Sequence, residues 1–258
     1  MRMTFPQQPT QTNMQAWVRA GLLLAMGVYL GFLMLTGTIN NYMNVQFQWL
    51  VGVAAVLFLF IGLWNLWGLW RNVPEDHTLN DNLEISHEGH NHTKLTWTAI
   101  AIVTIPLAFA LLIPSRPLGA SSITSISLNP VGVGDAASAA RSNADRNILD
   151  WLREFNRVDN PATFNGEDAI LVGFVYREPY MSDNQFMLAR YTLSCCVADA
   201  FAIGIPIQSE NASQYDQGEW VQIVGTFESG QFGEENLPIL RPISIELTQQ
   251  PASPYLYP

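Results

Sequence analysis

The sequence is poor in the residues that most often carry chemistry. Its 258 residues contain only two cysteines, Cys195 and Cys196, and these are adjacent. The four histidines, His77, His87, His90 and His92, all fall in one short segment, so no Ser-His-Asp set can be assembled in the second half of the chain. There is no Gly-rich phosphate loop, no nucleotide-binding motif and no pair of carboxylates at catalytic spacing. The chain is therefore expected not to be an enzyme. Positive charge is also scarce, with 12 Lys and Arg against 22 Asp and Glu and a net charge of −10. An acidic surface without a basic patch repels phosphate backbones, which excludes nucleic acid as a partner.

Long apolar runs, by contrast, are plentiful. Three of them, 16–35, 47–70 and 95–113, come close to the roughly 20 residues that cross a hydrocarbon core about 30 Å thick. The first holds a single charge, Arg19, near its start, where a long side chain can snorkel to the headgroups; the others hold none. They predict three transmembrane helices, over about 16–37, 47–70 and 95–113, in contact with a lipid bilayer. Pro106 is expected to kink the third without ending it. Trp17, Trp49, Trp64, Trp67, Trp70 and Trp97 cluster near the span ends, as interfacial aromatic belts do. The first run is too long for a signal peptide and lacks a small-x-small cleavage site.

Arg2, Arg19, Arg71 and Lys94 flank these runs, whereas the connection 36–46 has no charge. The positive-inside rule then predicts a multi-pass cell-membrane protein with its N-terminus and loop 71–94 in the cytoplasm. The C-terminal part is expected to be extracytoplasmic, although Arg116, just past the third run, opposes this orientation.

The expected organisation is a tail over 1–15, a membrane region over 16–113 and a Gly/Ala/Ser/Pro-rich linker over 114–142. A soluble domain over 143–258 follows. Ile148, Leu149, Leu152 and Phe155 recur at helical spacing and predict an amphipathic helix lying against that domain. Five runs rich in Val, Ile, Phe and Tyr follow, over 170–177, 185–193, 201–208, 220–227 and 239–247, separated by turn residues. The fold class read from this pattern is membrane α plus soluble β. It consists of three transmembrane helices and a small five-stranded antiparallel barrel resembling the OB-fold, with a small β-sandwich as the alternative. The Pro-rich tail after 249 is expected to be an extended arm.

Two constellations could hold a divalent metal such as zinc, and on this topology they lie on opposite sides of the bilayer. One is the His-x2-His-x-His segment with His77, on the loop 71–94; its alternative is a solvated polar loop. The other is Cys195-Cys196 with Asp199. Adjacent strand residues point to opposite faces, so a bulge or turn over 194–197 would be needed to turn both sulfurs to one side. Simple burial, a strained vicinal disulfide, or a purely capping role for Asp199 are the alternatives. Arg190, mid-strand in an acidic domain, is expected to pair with Glu178 or Asp199. In the membrane part, Gly27 and Gly31 form a small-x3-small face, and Asn65 is a polar residue deep in the second run. Both features suit helix–helix contact with a partner, and Asn65 is expected to bond a neighbouring helix.

Several segments together resemble the YcgQ-like family of bacterial membrane proteins. They are Leu35-Thr-Gly-Thr-Ile-Asn-Asn-Tyr42, the His-bearing loop, Pro114-Ser-Arg-Pro-Leu118, Gly173-Phe-Val-Tyr-Arg177, Phe186-Met-Leu-Ala-Arg-Tyr-Thr-Leu-Ser-Cys-Cys-Val-Ala-Asp-Ala200 and Trp220-Val-Gln-Ile-Val-Gly225. The resemblance covers nearly the whole chain. It implies one half of a two-component permease system whose other half is a larger multi-spanning subunit. A metal-binding or metal-sensing membrane protein is the second reading.

Overall fold

The computed structural model describes residues 11–71, 97–123, 125–128, 142–233 and 235–258. The chain divides into two compact units, one of Met1–Ile39 with Gln46–Ser115, the other of Asn40–Val45 with Arg116–Pro258.

The first unit is helical, with α1 (Gln11–Leu35), α2 (Gln48–Trp70) and α3 (Trp97–Leu112). Two stretches, Met14–Leu35 and Val45–Trp70, are long and apolar enough to cross a membrane; α3 is a shorter apolar helix. Val28, Phe32, Val56, Phe60, Leu63 and Trp64 all face outward. A surface of that kind suits hydrocarbon and would be unstable in water. α1 and α2 pack in antiparallel register, Leu24 against Gly62, Gly27 against Leu59 and Met34 against Gly52. The two glycines permit the approach, because a Cβ on Gly27 would lie 2.7 Å from Leu59 Cγ and one on Gly62 2.8 Å from Leu24 Cγ. Pro106 sits inside α3 without ending it, as expected. Tyr29 of α1 donates to the Ala110 carbonyl of α3 at 3.2 Å.

The second unit is a seven-stranded mixed sheet. Its strands are β1 (Ile126–Ser127), β2 (Asp168–Tyr176), β3 (Gln185–Thr192), β4 (Phe201–Gln208), β5 (Trp220–Phe232), β6 (Glu235–Leu247) and β7 (Tyr255–Leu256). The order is β1-β4-β6-β5-β2-β3-β7, and β4 also pairs with β3. The pairings of β2 to β6 thus run in a ring. They are antiparallel except β4 with β6, which is parallel at Ile207 and Leu240.

This corrects the all-antiparallel, five-stranded expectation in two ways. The strand set includes two-residue pieces, β1 and β7, which are too short to leave a periodic signal. β5 and β6 also continue well past the expected limits, into a hairpin whose Gly233 has φ +62°. The Gly and Pro of 232–238 give that segment the composition of the turn residues expected between the fourth and fifth runs. Pro242 is accommodated beside a register shift between Val224 and Gly225, where a proline without an N–H does least harm.

The expected amphipathic helix is α4 (Ile148–Arg157), opened by a reciprocal capping box between Asn147 and Asp150. Ile148, Leu149, Trp151 and Leu152 enter one core with Leu171, Val175, Phe186, Leu188, Ile203, Ile205, Ile223 and Phe227. The Trp151 and Phe227 ring centroids are 4.7 Å apart. Burying each such side chain contributes about 1.5–3 kcal/mol, so α4 is held by packing more than by its own helix propensity. A second cluster joins Phe174, Tyr191, Leu193 and Tyr255, with Leu118, Ile123 and Ile126 from the stretch read as linker packed against it.

Candidate functional site

β3 is buried along its entire length, which fixes where the chain emerges at Leu193. The Leu193 amide donates to the Leu256 carbonyl at 3.0 Å, just past the parallel pairing of β3 with β7. The chain then bends through 194–196 and turns in a short 3-10 segment, Val197–Asp199, into β4.

Asp199 organises this bend. Its carboxylate accepts three consecutive backbone amides, Ser194 at 3.0 Å, Cys195 at 2.7 Å and Cys196 at 3.2 Å. Burial alone would raise its pKa. The Cys195 thiol and these three amides outweigh burial and hold the carboxyl below the usual aspartate range. The capping reading of Asp199 is therefore observed.

The Asn40–Val45 segment braces the bend from the other side. Met43 and Cys196 form an isolated antiparallel bridge. The Val197 amide donates to Tyr42 O at 2.8 Å, and the Asn44 amide to Cys195 O at 3.0 Å. Asn44, itself buried, adds a side-chain bond from Nδ2 to Ser194 O at 2.9 Å. Behind this, the Tyr255 hydroxyl accepts from the Leu118 amide at 3.0 Å and donates to Asn41 O at 3.2 Å. In the sequence this stretch stands out only as part of the uncharged connection 36–46. Its one available signal was three asparagines in five residues, from Asn40 to Asn44.

The turn meets the geometric condition that regular strand pleating would violate. The two sulfurs lie on one side, 3.7 Å apart, and both thiols are free. The sulfurs and an Asp199 oxygen all lie within 4.8 Å of one another. Burial is not the role of Cys195, which is exposed. Its thiol is pushed up to about 11, first by its hydrogen bond to Asp199 and then by that to Cys196, so it is protonated at neutral pH.

Arg190 corrects an expectation. It pairs with neither Glu178 nor Asp199. Its Nε donates to Pro254 O at 3.1 Å, Nη2 to Ser253 O at 2.9 Å and Nη1 to Val172 O at 3.3 Å, with the guanidinium 5.2 Å from the Trp220 ring centroid. Burial lowers its pKa to about 10, which leaves it a cation at neutral pH. A planar fork with five donors can reach three carbonyls at once, and here it ties the C-terminal tail to the sheet.

Of the residues expected to meet a partner in the membrane, Gly27 is taken up by the α1–α2 approach, while Gly31 has open space around its Cα. Asn65 is exposed and donates Nδ2 to Ile61 O within its own helix at 2.8 Å. His77, His87, His90 and His92 lie outside the described residues.

Comparison with known proteins accounts for both units. Residues 18–127 match the DUF1980 N-terminal domain and residues 141–258 the DUF1980 C-terminal domain. The chain belongs to this family. It is 22% identical over 277 residues to a Streptococcus mutans protein provisionally named a two-component membrane permease complex subunit, covering 92% of this chain and 97% of that one. It is also 25% identical over 111 residues to UPF0703 protein YcgQ of Bacillus subtilis, covering 42% of this chain and 39% of that one.

Proposed function

We propose that this DUF1980 protein is an accessory subunit of a membrane permease complex, docked through its apolar helices on a larger multi-spanning partner. Its β-unit would stand at the extracytoplasmic mouth of the path. The observation that carries this reading is the nearly end-to-end match with a relative named as such a subunit. The helices add support. Among the described residues, the outward faces of α1 and α2 are largely apolar, and Asn65 donates Nδ2 within its own helix, which suits docking on a partner better than lining a solute route. An open face at Gly31 is free for close helix approach.

The sidedness has support of its own. Asn40–Val45, between the two long apolar helices, belongs to the β-unit. If α1 and α2 cross a bilayer, the chain leaves α2 on the far side and must cross again to enter that unit at Arg116. Among the described residues, α3 is the segment available, and its 16 residues span about 24 Å, close to a hydrocarbon core. The ring of pairings with one parallel member, β4 with β6, favours an OB-like barrel for this unit.

The test is affinity purification of the full chain from its native membranes in mild detergent, with cross-linking and mass spectrometry. A multi-spanning protein in stoichiometric amount is expected; recovery of the chain alone would refute the assignment.

A further inference from the structure

We propose that Cys195, Cys196 and Asp199 form an exchangeable site for a thiophilic divalent cation of the zinc class. This rests on the β-unit alone and stands whether or not the permease reading holds.

The distances carry it. Two sulfurs about 2.3 Å from a tetrahedral ion are separated by the tetrahedral edge, about 3.8 Å. The observed separation is 3.7 Å. An oxygen at about 2.1 Å from the same ion would lie about 3.6 Å from each sulfur. The three ligand atoms already fall within 4.8 Å of one another, so closing on an ion needs side-chain adjustment of about 1 Å and no backbone movement. A disulfide, in contrast, needs the sulfurs to close to about 2.05 Å, across a bond between adjacent residues.

The surroundings fit a ligand set held in place. The amides of Ser194, Cys195 and Cys196 orient the carboxylate. Asn44 pins the Ser194 and Cys195 carbonyls, so the sulfur-bearing backbone is fixed from both sides. Such outer contacts set ligand orientation in metal sites. Binding replaces the two thiol protons with the metal and releases them to solvent, leaving a complex of two thiolates and one carboxylate with net charge −1, the carboxylate being the third ligand. Three protein ligands leave a fourth position open to water or to an incoming donor, unlike the closed four-ligand set of a structural site. With Cys195 exposed, an ion can enter and leave without unfolding the turn. A capping role explains Asp199, and the thiol–thiol hydrogen bond of the free protein holds the two sulfurs at the spacing a tetrahedral cation requires.

The experiment titrates the reduced full chain in detergent with Co(II), which gives a thiolate-to-metal charge-transfer band that imidazole ligands cannot produce. Zn(II) then competes for the site. A tetrahedral spectrum with that band at one equivalent is expected, with Zn(II) displacing the cobalt. Cys195→Ser and Cys196→Ser should each remove most of the band, with the melting temperature checking that the fold is kept. Asp199→Asn should keep sulfur character but lose about tenfold or more in affinity. Cobalt bound without a sulfur band, as the histidines alone would give, overturns the proposal. So does a band that survives both serine variants, or a thiol-reduced, folded protein that binds no cobalt.

Discussion

Replacing Arg190 with Met keeps most of the side-chain volume and removes the buried cation. Three charge-assisted bonds are lost, to Ser253, Pro254 and Val172 carbonyls. At about 1.5–3 kcal/mol each, their gross sum is several kcal/mol. The net loss is smaller, because the two tail carbonyls regain water once the tail lifts and the cost of burying a cation disappears. We expect about 3 kcal/mol, equivalent to a fall in melting temperature of roughly 10 °C for a unit of this size. The loss should begin locally. Tyr255 sits in the core, and its hydroxyl joins Leu118 to Asn41, so the tail, the segment after α3 and the Asn40–Val45 brace should loosen together. Hydrogen exchange reads this as lost protection at Leu193 and at 116–120, and limited proteolysis as faster cleavage within 249–258. Arg190→Lys should fall between the two, since an ammonium cannot span three carbonyls with a planar fork. An Arg190→Met protein with wild-type melting and an undisturbed tail would refute the reasoning.

Other perturbations separate the remaining contacts. Gly27→Ala forces a methyl against Leu59 and the Ala55 carbonyl and should weaken the α1–α2 pairing by about 1–3 kcal/mol, whereas Gly31→Ala should leave it unchanged; detergent-denaturation midpoints compare them. Asn44→Ala leaves the Ser194 carbonyl without its side-chain donor and should cost about 1–2 kcal/mol, seen as faster exchange at the Cys195 and Cys196 amides. The folded-state pKa of Asp199 lies below its unfolded value, so its contribution is complete above the ordinary aspartate range and is lost as pH falls through the depressed value. Exchange protection at 194–196, corrected for intrinsic pH dependence, should therefore survive at pH 5 and vanish in strong acid, and Asp199→Asn should abolish that transition. A flat profile in both proteins would contradict the carboxylate clasp.

Features that repeat along the chain were readable from sequence. The apolar runs that became α1 and α2 and the helical spacing of Ile148, Leu149, Leu152 and Phe155 each encode a face several times over. The runs rich in apolar and aromatic residues that became β2 to β4 were readable by composition and length. Features that depend on contacts distant in sequence were not readable. β1 and β7 exist only because β4 and β3 offer them an edge, and two residues carry no period. The Arg190 assignment failed because charge composition favours a carboxylate partner, while the fold brings three carbonyls from 172 and 253–254 to the guanidinium. The site divides in the same way. Cys195, Cys196 and Asp199 are close in sequence and stood out at once, and the need for a turn followed from strand geometry. The Asn44 brace, about 150 residues away in the chain, left only a run of asparagines.

The accessory role at the extracytoplasmic mouth requires the β-unit to stand on the outer side of the membrane. The chain contains its own reporter, because it has no cysteines beyond the adjacent pair and Cys195 is exposed. Intact cells producing the full chain are treated with a chelator and then with a membrane-impermeant maleimide. The Cys195→Ser/Cys196→Ser protein sets the background. Labelling of intact cells to the level reached after permeabilisation is the expected result; labelling only after permeabilisation would place the unit in the cytoplasm and contradict the assignment.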